Sequence, residues 1–170
     1  FAAFLLIAVT AAATFGLREK REAYPSHWFL FAALLLFPWI YSTANLLLLG
    51  WPVRGVVQSI IGWWFANNLV FIWLALAGIG TAFYFLPKIA NRPLASSGYT
   101  LFAFFSLLLF GTWCGIPQGA PVPAWLPAAS SFAATLTIMA LVAIAIVTRK
   151  TVCGAKVDCP SGSFGFIRFG

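Results

Sequence analysis

Acidic residues are almost absent from this chain. Glu19, Glu22 and Asp158 are the only three among 170 residues, and all fall between apolar runs, so no carboxylate proton relay can be built at membrane depth. Histidine is scarcer: His27 stands alone beside Trp28 at the edge of an apolar run, with no second histidine to share a metal, and reads as an interfacial side chain in preference to a pigment or haem ligand. Cys153 and Cys159 are separated by five residues and Cys114 lies far from both, which excludes a CxxCH haem attachment and a four-ligand zinc set. A Cys153 to Cys159 disulfide is disfavoured if that loop faces a reducing cytoplasm. Neither a serine, histidine and acid set nor a Gly-rich phosphate loop after a strand is present.

Apolar side chains fill the space these groups leave. The chain is 62% hydrophobic and 8% charged, with a mean hydropathy of +0.97, and so cannot present a charged aqueous surface. These values describe an all-α integral membrane protein, a polytopic helix bundle, because a hydrocarbon core of about 30 Å takes roughly 20 apolar helical residues. The runs are continuous, which excludes the alternation of a membrane barrel. Five spans are predicted, at about 1–17, 28–49, 57–87, 99–116 and 129–148, with a sixth beginning near Phe164, all in a single helical domain over 1–170. The first run is short and starts without a basic flank, and the last breaks off at Gly170, so the sequence reads as an internal fragment of a larger polytopic chain.

Charge placement predicts topology. Arg18, Lys20, Arg21, Lys88, Arg92, Arg149, Lys150 and Lys156 occupy loops 18–27, 88–98 and 149–163, and Arg54 alone lies in the opposite connections, eight basic residues against one. The positive-inside rule makes those three loops cytoplasmic. The net charge of +7 is explained by anionic lipid headgroups; no nucleic-acid recognition module surrounds these residues.

Within the spans, Trp28, Trp51, Trp63, Trp64 and Trp125 are expected as interfacial anchors, and Pro38 should kink the second span. Gly78, Gly80 and the alanines of the fifth span would allow close helix approach. Asn45, Gln58, Asn67, Asn68, Thr81, Ser106, Thr112, Thr135 and Thr137 are polar at membrane depth, and hydrogen bonds between helices are their default role.

One stretch is more specific. The order Trp63-Trp64-Phe65-Ala66-Asn67-Asn68, a helical run, Phe83-Tyr84-Phe85-Leu86-Pro87-Lys88, Arg92-Pro93 and then a Trp113-containing span resembles the sixth and seventh helices of the catalytic subunit I of cbb-type (C-family) haem-copper cytochrome c oxidases. The likeness covers 28–148 and is strongest over 61–93; it implies the fourth through eighth of twelve helices, with the third span entering from the outer face as the family's sixth helix does.

In that family the Trp-Trp motif precedes a His-Asn pair whose histidine ligates copper, and the next helix ends in Gly-Pro-His-His before a crosslinked tyrosine. This chain has Asn67-Asn68 and Gly115-Ile116-Pro117-Gln118-Gly119-Ala120-Pro121, so Asn67, Pro117 and Gln118 stand at degenerate ligand positions. A carboxamide is a poor copper donor. The resemblance implies a respiratory electron-transfer component of a bacterial inner membrane, without copper and not catalytic by itself. It also implies haem held through helices outside this stretch, and membrane lipids, other complex subunits and c-type cytochromes as partners. A working terminal oxidase with a variant metal site, and a non-catalytic structural membrane subunit, are the alternatives.

Overall fold

The computed structural model describes residues 2–17, 24–51 and 53–153. Loop residues Arg18, Lys20 and Arg21, together with Lys156, Cys159 and the sixth span expected near Phe164, lie outside the described residues. Five apolar helices follow one another: α1 (Ala2–Gly16), α2 (Pro25–Gly50), α3 (Val56–Ala90), α4 (Ser97–Gly111) and α5 (Trp125–Cys153). Three of them, α2, α3 and α5, are long and apolar enough to cross a membrane. The 15 residues of α1 reach only ~22 Å at 1.5 Å per residue, short of the ~30 Å core.

Each boundary has a local cause. Pro25 opens α2 one turn earlier than the expected start at residue 28, since its missing N–H is no loss in the first turn and its φ suits the helix. At the C-terminus of α3, Asn91 turns left-handed at φ 50°, and the Arg92 N–H returns to the Pro87 carbonyl at 3.1 Å. Ser96 caps α4 by accepting the Tyr99 N–H.

The expected span 99–116 is overestimated. α4 stops at Gly111, because a turn over 112–114 leads to Gly115 at φ 101°, which a helix cannot accommodate, and Pro117 removes a donor beyond it. The expected span 129–148 is underestimated: α5 begins at Trp125 and carries Arg149 and Lys150 in its last turns, while Lys88 lies within α3.

The helices run up and down. Phe4 meets Phe37 with ring centroids 4.2 Å apart while Phe15 stacks on Phe31 at 5.5 Å, which makes α1 and α2 antiparallel. Between α2 and α3, a Cβ built on Gly80 would lie 2.9 Å from Leu30 Cγ and 3.0 Å from Phe29 Cβ, so the backbone approach requires glycine there. Gly78 has open space beside it and plays no such part. Phe29, 1% exposed, is wedged edge-on against Phe83 at 5.6 Å and Phe104 at 5.2 Å, joining α2, α3 and α4. The alanine face expected on the last span is confirmed by Ala133, Ala140 and Ala143, buried with Val147.

The basic residues of the described helices gather at one end. There the Leu94 N–H donates to Tyr24 Oη and the Ala95 N–H to Thr151 Oγ1, each at 3.2 Å, drawing the α3–α4 loop against the start of α2 and the last turns of α5. At the other end, Leu47 of α2, Ile60 of α3, Leu126 of α5 and the turn after α4 line one cavity.

Candidate functional site

Three π-helical turns interrupt the helices near that second end: Leu46–Gly50 closing α2, Asn68–Trp73 within α3, and Leu107–Gly111 closing α4. Such turns shift the register of a helix and leave carbonyls seeking other donors, and they are frequent at functional sites. The two motif asparagines stand at the start of the α3 turn, facing the one that closes α4.

Asn67 donates its Nδ2 amide to the Gly111 carbonyl at 3.0 Å. That carbonyl also accepts the Cys114 N–H at 3.2 Å, so the side chain occupies its second lone pair. Asn68 uses its amide twice, to Trp64 O at 2.9 Å within its own helix and to Thr112 O at 3.2 Å across the interface. Asn67 and Asn68 are 6% and 1% exposed, and together they cap the C-terminus of α4 from a neighbouring helix. Among the described residues no buried side-chain nitrogen or oxygen lacks a partner.

The turn beyond α4 presses on the same asparagine. A Cβ on Gly115 would collide with Asn67 Cβ, and one on Gly111 would collide with Ile72 Cδ1. Gly115 therefore meets two demands, a positive φ and a backbone lying directly on the Asn67 side chain.

Gln118 points elsewhere. Its Nε2 donates to Pro127 O at 3.3 Å and pairs with Ser131 Oγ, which itself donates to Pro127 O at 2.9 Å. The Ile116 N–H donates to Ser130 Oγ at 3.1 Å, so the turn is fastened to α5 on both sides of Pro117, whose side chain offers no donor atom. Asn67 is thus committed to the end of α4 and Gln118 to the first turns of α5.

Beside the clamp lies an apolar cavity of about 370 Å³, lined by Thr43 of α2, Ile61 and Trp64 of α3, Thr112 and Cys114 of the turn, and Leu126. Trp64 lines this cavity from α3, whereas Trp28, Trp51 and Trp125 are exposed. Cys114, expected within a span, lies just past α4, with its thiol 3.4 Å from Phe110 O and 3.7 Å from Thr137 Oγ1. His27 sits in the first turn of α2, its Nδ1 3.2 Å from Tyr24 O.

The expected interhelical role of the membrane-depth polar groups holds for few of them. Asn45, Thr81, Thr135 and Thr137 each donate to the carbonyl four residues earlier in their own helix, and Thr112, just past α4, donates to Leu108 O; of these, Thr137 also meets the Cys114 thiol of the turn. Asn67 and Asn68 differ because α4 ends opposite them, and a helix end supplies free carbonyls that a continuous helix wall does not. Sequence inspection missed Gly111 and Gly115 as partners of this site; the spacing of glycines around Trp113 was the available signal.

Among the described residues no three His, Cys, Asp or Glu side chains are grouped so that they could hold a metal.

No family model matches the chain. Individual proteins do. It is 27% identical over 117 residues to the cbb3-type cytochrome c oxidase subunit CcoN1 of Stutzerimonas stutzeri, covering 64% of this chain and 24% of that protein. It is 26% identical over 109 residues to cytochrome c oxidase subunit 1 of Rhodobacter capsulatus, covering 58% and 20% respectively. A shorter match, 33% identical over 61 residues, is to a cytochrome c oxidase subunit 1 homolog of Agrobacterium tumefaciens, covering 36% of this chain and 11% of that one. The chain is therefore similar to subunit I of cytochrome c oxidases at low identity, and it spans no more than about a quarter of the length of these curated relatives.

Proposed function

We propose that this chain is the middle part of an oxidase subunit-I-like component of a membrane electron-transfer complex, in which the family's copper position serves as a helix clamp. The observation that carries the proposal is the Asn67 amide committed to Gly111 O, with the Gly115 backbone against its side chain. Copper in such a site takes several converging imidazole nitrogens. The residues here do not fit that demand: Asn67 is spent on α4, Gln118 on α5, and Pro117 has no donor.

On this proposal the polypeptide does not itself reduce dioxygen. Its residues hold α3, α4 and α5 in the arrangement of the oxidase fold, and electron transfer belongs to haem bound by helices outside this stretch and to partner subunits such as c-type cytochromes. The gathering of basic side chains at one end supports a cytoplasmic position for that end in a bacterial inner membrane.

The test is metal analysis of the purified full-length protein combined with reduced-minus-oxidised spectra and oxygen uptake. Copper well below one per chain, without oxygen consumption, is the expected result. Stoichiometric copper with oxygen uptake would overturn the proposal in favour of a terminal oxidase with a variant metal site.

A further inference from the structure

A second concavity lies toward the other end of the bundle, on the surface of the described residues between α4 and α5. It has a volume of about 720 Å³, and its walls are Tyr99 and Phe102 from α4 and Ile138, Met139, Val142 and Ile146 from α5. Ala143, 3% exposed, forms part of its floor. Its lining is almost wholly apolar, and a basic side chain stands beside one of its walls. Lys150, one turn beyond Ile146, holds its Nζ 5.4 Å from the centre of the Tyr99 ring, and Arg149 is its neighbour in the same final turns of α5.

We propose that this groove binds one acyl chain of an anionic phospholipid, with the headgroup held at the Lys150 end. Two observations select this occupant. The first is length. Along α5 the lining runs from Thr135 to Ile146, ~17 Å at 1.5 Å per residue, and half of a ~30 Å hydrocarbon core is ~15 Å, so the groove is one leaflet deep. A transmembrane helix of a partner would need a groove along most of α5. The second is charge: a basic side chain stands beside the apolar groove, which suits an amphiphile with a negative head and an apolar tail. The Ala95 N–H to Thr151 Oγ1 bond fixes the loop before α4 against α5 and so holds that end of the groove in shape.

The inference is independent of whether the protein carries copper. Its test uses the full-length protein reconstituted in nanodiscs with phosphatidylglycerol or phosphatidylcholine probes bearing a diazirine at the end of one acyl chain, followed by mapping of the labelled peptides. The phosphatidylglycerol probe is expected to label the groove peptides about fivefold more than the phosphatidylcholine probe, the effect of one cation near a headgroup. Lys150→Gln should bring the two probes to parity, and Val142→Trp should suppress labelling by both. Val142 and Ile138 are 51% and 56% exposed, so Ile138→Trp serves as a second groove-filling variant with little risk to the fold. Equal labelling by the two probes in the unaltered protein, labelling unchanged by both tryptophans, or crosslinks from the groove to another polypeptide in place of lipid would each overturn it.

Discussion

Asn67 of α3 reaches across to the carbonyl of Gly111 at the end of α4, 3.0 Å away, and Asn68 does the same one residue later for Thr112 at 3.2 Å. Adjacent residues on a regular helix do not face one neighbour, since each step turns the side chain by about 100°. Here the π-helical turn beginning at Asn68 widens the helix, and the terminus of α4 presents consecutive carbonyls in different directions, so both amides find acceptors.

Removing the amides should therefore cost stability in a graded way. Asn67→Leu is expected to lose about 1 to 2 kcal/mol, because Gly111 O retains the Cys114 N–H as a donor. Asn68→Leu should lose about 2 to 3 kcal/mol, since two bonds go at a position only 1% exposed. Thermal unfolding in detergent, followed by helical circular dichroism, measures both; equal and negligible losses would mean the amides do not cap α4.

Asn67→His should not create a metal site. The larger ring would meet the backbone at Gly115, so a lower thermal midpoint and no gain of copper by elemental analysis are expected. A stable variant that takes up stoichiometric copper would contradict the clamp geometry.

Gly115→Ala combines a φ of 101° with a collision against Asn67. A loss of about 2 to 4 kcal/mol is expected, from a disfavoured backbone conformation and overpacking together. The same unfolding experiment reads it, and pairing with Asn67→Ala should leave most of the loss in place, because the nearest obstructing atom, Asn67 Cβ, is retained in alanine.

The two glycines of α3 offer an internal control. Gly80→Ala places a methyl group 2.9 Å from Leu30 Cγ and should destabilise by about 1 to 3 kcal/mol, whereas Gly78→Ala meets nothing within 4 Å and should be neutral or stabilise by up to ~1 kcal/mol through helix propensity. Similar midpoints for the two variants would mean that α2 and α3 are not packed as described.

Sidedness can be read from cysteine labelling. Cys153 is exposed at the basic end, and Arg54 is exposed at the other. In right-side-out membrane vesicles of a background lacking Cys114 and Cys159, an impermeant maleimide should label Cys153 only after permeabilisation. In that background with Cys153 also replaced, Arg54→Cys should label without it. The reverse pattern would invert the proposed orientation.

Much of the architecture was legible in the sequence because the membrane imposes it residue by residue. Continuous apolar runs are local properties, and each marks a helix of the structure, although the helix ends, and with them Lys88, Arg149 and Lys150, fall up to five residues from where composition places them. The end of α4 depends on Gly115 and Pro117 acting against an apolar run that composition alone would continue. Asn67, Pro117 and Gln118 could be singled out in the sequence, but their contacts could not. Side-chain amides hydrogen-bond whatever donors and acceptors the fold brings near, and sequence does not say which helix end lies opposite.

The chain by itself determined that it is a membrane helix bundle and that its motif order is similar to an oxidase subunit. Hydrophobicity, charge cost and periodicity act along the chain and need no partner to be read. Only the tertiary structure decided that Asn67 and Asn68 close the end of α4, that Gln118 belongs to α5, and that the hydroxyls of Thr81, Thr135 and Thr137 turn back on their own helices. Those outcomes depend on where a neighbouring helix stops, which packing sets and composition does not.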